Sequence, residues 1–358
     1  MFKEVTLTVF LMKVHFKQSK IINRLPRKYY ADWVKPLFPT MRQELYGIKK
    51  KDLFLSKTPE EADILILPLT WNYYFDSGKA MEAYKIIENY ERYHKPIITW
   101  VSGDFKYKIK EGNFVLLQHN LYKSEQKKNE YAYPAIIRDP FEYIKTFGLI
   151  ISSANSKNSI SFCGTANRTI FDKYENFCKE FIFKIKNTYF KSYLDLNMPI
   201  SGMTLREKCL KAFKQNTNLA TKIIVRKRKE SNYISRQQYR FEYWNNMLSS
   251  PFTLCIRGNG NFSVRFYETL ALGRIPVLFN TDCVLPLDKF INWSEHCIII
   301  ENKDPKNFVK SVELLIRAMD HNKIVRMQIN NRKLWIEMLS FGGFYYTFAN
   351  KILKNRLK

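Results

Sequence analysis

At 358 residues the chain is long enough for two α/β domains of roughly 150–180 residues each. A hydrophobic content of 46%, with 15% aromatic residues, excludes a disordered chain, and no stretch approaches the roughly twenty apolar residues of a membrane-spanning helix. The net charge of +26, from 59 basic against 33 acidic residues, calls for an anionic partner: nucleic acid, an anionic membrane face, or an acidic glycan with its nucleotide donor. No RNP signature or Cys/His finger spacing is present, which puts nucleic acid last of the three. Cys163, Cys178, Cys209, Cys255, Cys283 and Cys297 lack zinc-ligand spacing, as expected of reduced thiols in a cytosolic protein.

In chain order, Val5–Met12 is a short apolar run after Glu4 and reads as a first strand rather than a signal peptide. Arg24–Leu45 mixes apolar and basic residues and is broken by Pro36 and Pro39. Asp52–Leu55 reads as a strand, Thr58–Asp63 as a capped turn, and Ile64–Leu67 as an apolar strand ended by Pro68. Thr70–Tyr74 (TWNYY) reads as a loop offering aromatic rings, and Lys79–Tyr93 has a helical period. Pro96–Val101 is a buried parallel strand, with Ser102, Gly103 and Asp104 leaving its carboxyl end. Phe114–Leu117 is another strand, followed by Gln118 and His119. Strands alternating with helices predict an α/β fold.

Ile151–Asn158 (ISSANSKN) is small and polar and reads as a linker. Ile160–Cys163 opens a second sheet, with Gly164–Arg168 as its exit loop. Helices follow over Thr169–Lys186, with Lys173, Lys179 and Lys184 facing water, then over Leu205–Phe213 and Tyr239–Leu248. Between the last two lies the densest basic cluster, Lys222–Arg240. It reads either as a solvated surface or as a patch that meets anionic lipid or acceptor. Cys297–Ile300 is a late strand. Lys323–Leu339 is a helix that Gly342 and Gly343 break and Phe344–Leu357 resumes.

The most informative stretch is Ser250–Asp282. Phe252–Ile256 is a strand, Arg257–Phe262 (RGNGNF) a polar loop, and Ser263 the cap of a helix with apolar residues at Val264, Tyr267, Leu270 and Ala271. Gly273 ends that helix and Ile275–Phe279 is the next strand, so the unit is half of an open parallel sheet. Such sheets bind ligands beyond the carboxyl ends of their strands. Gly258 and Gly260 let backbone approach an anion, the amides behind Ser263 favour negative charge, and Arg257 and Arg265 suit phosphate oxygens. Glu268, one turn after Arg265, suits sugar hydroxyls. Ser263 stands where a dinucleotide fingerprint has its third glycine, and there is no Gly-Lys-Ser/Thr, so neither a Rossmann NAD site nor a Walker loop is indicated. The plainer alternative is an ordinary βα turn with an Arg265–Glu268 surface pair.

Three segments carry a family resemblance: Ser161–Arg168 (SFCGTANR), Phe252–Phe279, and Leu285–Trp293 (LPLDKFINW). Arg257, Gly258, Ser263, Arg265, Glu268, Gly273, Pro276, Leu285, Pro286 and Trp293 match the pattern position by position. The chain from about Ser161 to Ile300 resembles the exostosin family of glycosyltransferases, the GT47 type, in its shorter bacterial and viral-style members. The resemblance implies a GT-B fold of two Rossmann-like domains. Their expected limits are 1–153 (acceptor side) and 154–340 (nucleotide-sugar side), with a broken C-terminal helix, 341–358, crossing back.

It also implies transfer of a sugar from a nucleotide diphosphate, in first place a UDP-sugar, to a glycan or lipid-linked glycan with inversion and without a metal. Arg257, Gly258, Ser263, Arg265 and Glu268 would bind the donor, with Gly164 and Arg168 contributing from the first loop of the second domain. An inverting transfer needs a base from the first domain. Asp104 is the first candidate because it leaves a buried strand, and His119 and Asp139 are rivals. Trp71, Tyr73 and Tyr74 are candidates for stacking on acceptor sugars. The setting expected is cytoplasmic surface-polysaccharide synthesis, peripheral to the inner membrane face if the basic cluster 222–240 touches lipid. A non-catalytic binder of acidic glycans on the same fold is the alternative, and a nucleic-acid-binding protein the third.

Overall fold

The computed structural model describes residues 12–17, 25–37, 47–48, 53–144, 148–167, 169–190, 193–195, 202–226, 236–301 and 304–354. Its first half builds β1 (Met12–His15), β2 (Leu53–Leu55), β3 (Ile64–Ile66), β4 (Ile97–Val101), a short β5 (Lys106–Tyr107), β6 (Val115–Gln118) and β7 (Glu130–Ala132). Six of these form a wholly parallel sheet in the order β2-β1-β3-β4-β6-β7. Its central strands are continuous apolar runs because helices cover both faces of such a sheet. Helices α1 (Trp71–Asp76), α2 (Ala80–Glu91) and α3 (Pro140–Ile144) belong to this half.

The second half builds β8 (Ser159–Thr165), α4 (Ile170–Phe190), β9 (Leu194–Asp195), α5 (Gly202–Gln215), β10 (Ala220–Arg226), α6 (Arg236–Leu248), β11 (Phe252–Cys255), α7 (Val264–Ala271), β12 (Ile275–Phe279) and β13 (Ile298–Ile300). Five strands make a second parallel sheet, β10-β8-β11-β12-β13. The chain steps from β8 outward to β10 and then returns to place β11 on the other side of β8. That reversal opens a crevice at the carboxyl ends of β8 and β11, where open α/β sheets bind their ligands.

Helices α8 (Pro305–Ala318) and α9 (His321–Leu334) follow, and the chain then crosses back to the first domain. After a wider helical turn at Trp335–Leu339, α10 (Phe341–Phe348) packs on the first sheet. The Trp33 ring lies 5.1 Å from that of Tyr345, and Tyr133 lies 5.0 Å from Phe344. Two parallel α/β sheets and a returning C-terminal helix constitute the GT-B fold.

Local expectations fail in two places. TWNYY is the helix α1, not a loop. Gly342 and Gly343 lie inside α10, and the break falls at Ser340, whose Oγ caps by accepting from the Gly343 amide at 3.1 Å. A Cβ on Gly343 would stand 2.6 Å from the Ile336 carbonyl oxygen, so the glycine serves the close turn. The strand β10 runs through the start of the basic cluster. Val5–Leu11 and Lys227–Ser235 lie outside the described residues.

A hydrogen-bonded seam joins the domains. The Lys123 amide donates to the Asp282 carbonyl at 2.9 Å, and the Asn261 amide donates to Asn120 Oδ1 at 2.7 Å. Among the described residues no helix is long and apolar enough to cross a membrane, and no cluster of His, Cys, Asp and Glu could hold a metal ion.

Candidate active site

The crevice between β8 and β11 is lined by guanidinium groups. Arg265 lies on the first turn of α7 and is only 8% exposed, because α7 turns this side chain toward β8. Its Nη2 donates to the Cys163 carbonyl at 2.7 Å, and its Cζ stands 4.4 Å from the Phe162 ring centroid. Gly164 makes this placement possible. A Cβ there would overlap the Arg265 guanidinium, so the glycine matters for a side chain rather than for close approach of phosphate.

Arg257 leaves the end of β11 and is buried, with Nη1 donating to the Gly258 carbonyl at 3.3 Å. A third arginine completes the cluster. Arg206 lies on α5, and its Nη1 donates to the Thr165 carbonyl at 3.2 Å while Nε and Nη2 donate to that of Ile256. Burial, then the Arg265 and Arg257 charges, push its pKa down to about 9, which leaves it cationic at neutrality. Burial likewise lowers Arg257. These carbonyl contacts orient the three guanidinium groups. Sequence reasoning missed Arg206, because it belongs to no local motif and reaches the site only through the packing of α5 against β8 and β11. Gly202, at the start of α5, lets that helix close on the glycine loop, since a Cβ there would meet the Gly258 carbonyl.

Glu268 follows Arg265 by one turn and is half-buried. Its Oε2 accepts from the Tyr243 hydroxyl of α6, and burial raises its pKa despite that bond and the Arg265 charge. Arg265 and Glu268 form no surface pair, because Arg265 is interior. Ser263 begins α7 with an extended backbone and makes no side-chain capping bond. Arg168 lies outside the described residues.

The first domain supplies the opposite wall. Asn72 of α1 holds the exit of β4 with two hydrogen bonds, donating to the Ser102 carbonyl and accepting from its amide, both at 2.9 Å. Gly103 then takes φ +86°, and the Asp104 carbonyl accepts from Asn120 Nδ2 at 2.8 Å. A Cβ on Gly260 would come within 3.1 Å of the Asp104 Cα, so the glycine loop of the second domain meets this turn directly. Burial raises the Asp104 pKa, opposed by the nearby charges of His119 and Arg206.

His119 stacks 5.2 Å from the Phe262 ring, and its Nδ1 lies 2.8 Å from the Tyr133 carbonyl. A carbonyl only accepts, so Nδ1 carries the hydrogen and Nε2 the lone pair. Burial pushes its pKa down.

Other candidates fall away from the site. Both carboxylate oxygens of Asp139 accept from Arg332 of α9, which makes it a strut between the halves rather than a base. Trp71 and Tyr74 are core residues at 0% and 3% exposure, and Tyr73 packs edge-on against Tyr29. Arg226 of the basic cluster is also buried, paired with Glu242 and 3.8 Å from the Tyr239 ring.

Residues 184–315 match the family profile described as the Exostosin GT47 domain. Over 129 residues the chain is 29% identical to Exostosin-1 of Drosophila melanogaster, covering 34% of this chain and 16% of the fly protein. A protein of Oryza sativa subsp. japonica named as a probable glucuronosyltransferase is 30% identical over 103 residues, covering 29% of this chain and 22% of its own length. The chain thus spans less than a quarter of these relatives. Among solved structures, Anabaena HepE in complex with UDP has 8% identity and a TM-score of 0.41, covering 96% of this chain and 99% of that one. Arg206, Arg257, Arg265 and Glu268 fall inside the matched span, and Gly164 and Asp104 outside it. Over residues 184–315, then, this chain is similar to the Exostosin GT47 domain.

Proposed function

We propose that the chain is a glycosyltransferase. It moves a sugar from a nucleotide diphosphate donor, a UDP-sugar, to a hydroxyl of a glycan or lipid-linked glycan, with inversion at the anomeric carbon, in the assembly of a surface polysaccharide. The observation that carries the reading is the convergence of Arg206, Arg257 and Arg265 on the crevice between β8 and β11. A departing diphosphate needs its charge met as the sugar–oxygen bond breaks. Guanidinium groups already held in place meet it without reorganisation, and a divalent cation is then not required. Glu268 has one oxygen bonded to Tyr243, and the other accepts from the ribose hydroxyls.

Across the crevice, Asp104 accepts the acceptor hydroxyl's proton as the acceptor oxygen attacks the anomeric carbon from the face opposite the diphosphate. Its raised pKa makes it a stronger base than an exposed carboxylate. One observation favours His119 instead: its bond to Tyr133 leaves Nε2 bare on a neutral ring.

Calorimetry of uridine, guanosine and cytidine nucleotides, with and without EDTA, tests the reading. UDP should bind in EDTA, and Arg206→Ala should weaken it at least about tenfold. A folded chain that binds no nucleotide overturns the proposal in favour of a binder of acidic glycans. Binding that EDTA abolishes overturns the metal-free mechanism alone.

A further inference from the structure

Helix α4 is turned inside out. Its attached side carries polar contacts: Asn176 Nδ2 donates to Asn167 Oδ1 at 2.7 Å, and Lys173 pairs with Glu207 of α5 at 2.9 Å. A ring on that side, Phe183, stacks on Phe105 at 5.2 Å. The opposite side presents Phe171, Tyr174, Phe177, Phe181, Ile182 and Ile185 to solvent, with Phe171 72% exposed and Phe177 66%. At 3.6 residues per turn these fall within an arc of about 140° that contains no Asp, Glu, Lys or Arg. Lys179 and Lys184 are exposed on either side of it. Solitary apolar residues at a surface are ordinary, but a contiguous, largely aromatic stripe along about four turns of helix is not.

We propose that this stripe docks on an anionic lipid bilayer, with α4 lying in the plane of the interface and its aromatic side buried among the headgroups. Charge decides between the occupants such a stripe admits. A second copy would bring two chains of +26 face to face, and like charge of that size opposes association. An anionic surface attracts the same excess, most strongly for lysines within a Debye length of the lipid. Tyr is enriched at membrane–water boundaries, and Phe is among the residues that line the apolar face of helices lying in that plane. The seven charged residues of α4 keep it on the surface rather than across it. Glu180 of α4 lies within electrostatic reach of Arg257, so docking would bring the crevice mouth to the bilayer. The inference stands apart from the transfer reaction, because lipid binding is measured without donor or acceptor.

The test is flotation of the full chain with vesicles of three parts phosphatidylcholine to one part phosphatidylserine, and with phosphatidylcholine alone. The wild type should float with the mixed vesicles, far less with the neutral ones, and less as salt rises. Phe177→Ser/Phe181→Ser should bind at least about tenfold more weakly with an unchanged melting temperature. Should that variant misfold, Tyr174→Ser carries the same expectation, since Tyr174 is 68% exposed. A wild type that does not float overturns the proposal, as does a variant that floats equally well. A dimer that forms without lipid and is abolished by Phe177→Ser/Phe181→Ser also overturns it, and puts a second copy on the stripe.

Discussion

Helix α7 takes charge inward, whereas α4 takes apolar side chains outward. In α7 the guanidinium of Arg265 is interior and Val264 is 43% exposed. In α4 the aromatic stripe faces solvent while Lys173 and Asn176 hold the protein. Both helices have a clear helical period, so period alone did not set which side faces the core. What differs is the footing. Helix α7 starts at the crevice, where the Cys163 carbonyl, the Phe162 ring and the Tyr243 hydroxyl receive its charged residues. Helix α4 meets a narrow footing that offers mainly polar partners, so its apolar side is left for something outside the chain.

If the inward charges of α7 form a working site, the largest effect should come from the residue that faces them. Asp104→Asn should lower kcat by about 10²–10⁴ while UDP affinity is unchanged, read by steady-state kinetics and calorimetry. Only the carboxylate accepts a proton, so wild-type kcat/KM should rise with pH through a value above the usual carboxylate range, because burial raises the Asp104 pKa. Asp104→Asn should remove that limb. A limb that survives Asp104→Asn and disappears in His119→Gln would make His119 the base.

Next in size is Arg265→Ala. It strips the Cys163 carbonyl of its partner and removes one of three cations, so it should cost about 1.5–3 kcal/mol in unfolding free energy and weaken UDP as well. An Arg265→Ala protein of wild-type stability and affinity would remove Arg265 from the candidate site. Gly164→Ala acts on the same guanidinium at one remove. The new methyl displaces it at a cost of about 1–3 kcal/mol, seen as a lowered melting temperature and a weaker UDP isotherm. The smallest effect belongs to α4. Phe177→Ser/Phe181→Ser should stay within about 0.5 kcal/mol of wild type in denaturant unfolding. A larger loss would mean that the stripe is packed within the chain, and the contrast between the two helices would fail.

Much of the fold was legible. The apolar runs of β3, β4, β8, β11 and β12 predicted their strands to within a residue or two, and alternation with helices predicted two parallel sheets. The candidate site was legible where it is local: Arg257, Gly258, Ser263, Arg265 and Glu268 share one strand–loop–helix unit, and the structure gathers them at one edge. Asp104 was legible as a strand exit, and its approach to Gly260 was not. Trp71 and Tyr74 misled because aromatic rings serve a core and a sugar platform equally well. Only their burial decided between the two.

By itself the sequence determined most of the elements and the glycine loop, because these rest on hydrogen bonds and turns between near neighbours in the chain. Tertiary structure alone decided that Arg206 joins Arg257 and Arg265, that Gly164 makes room for a guanidinium, that Asp139 is a strut, and that α4 faces outward. Each of these depends on which groups are brought close from distant parts of the chain. Burial, desolvation and the field of neighbouring charges are set by that proximity, and neither period nor spacing records it.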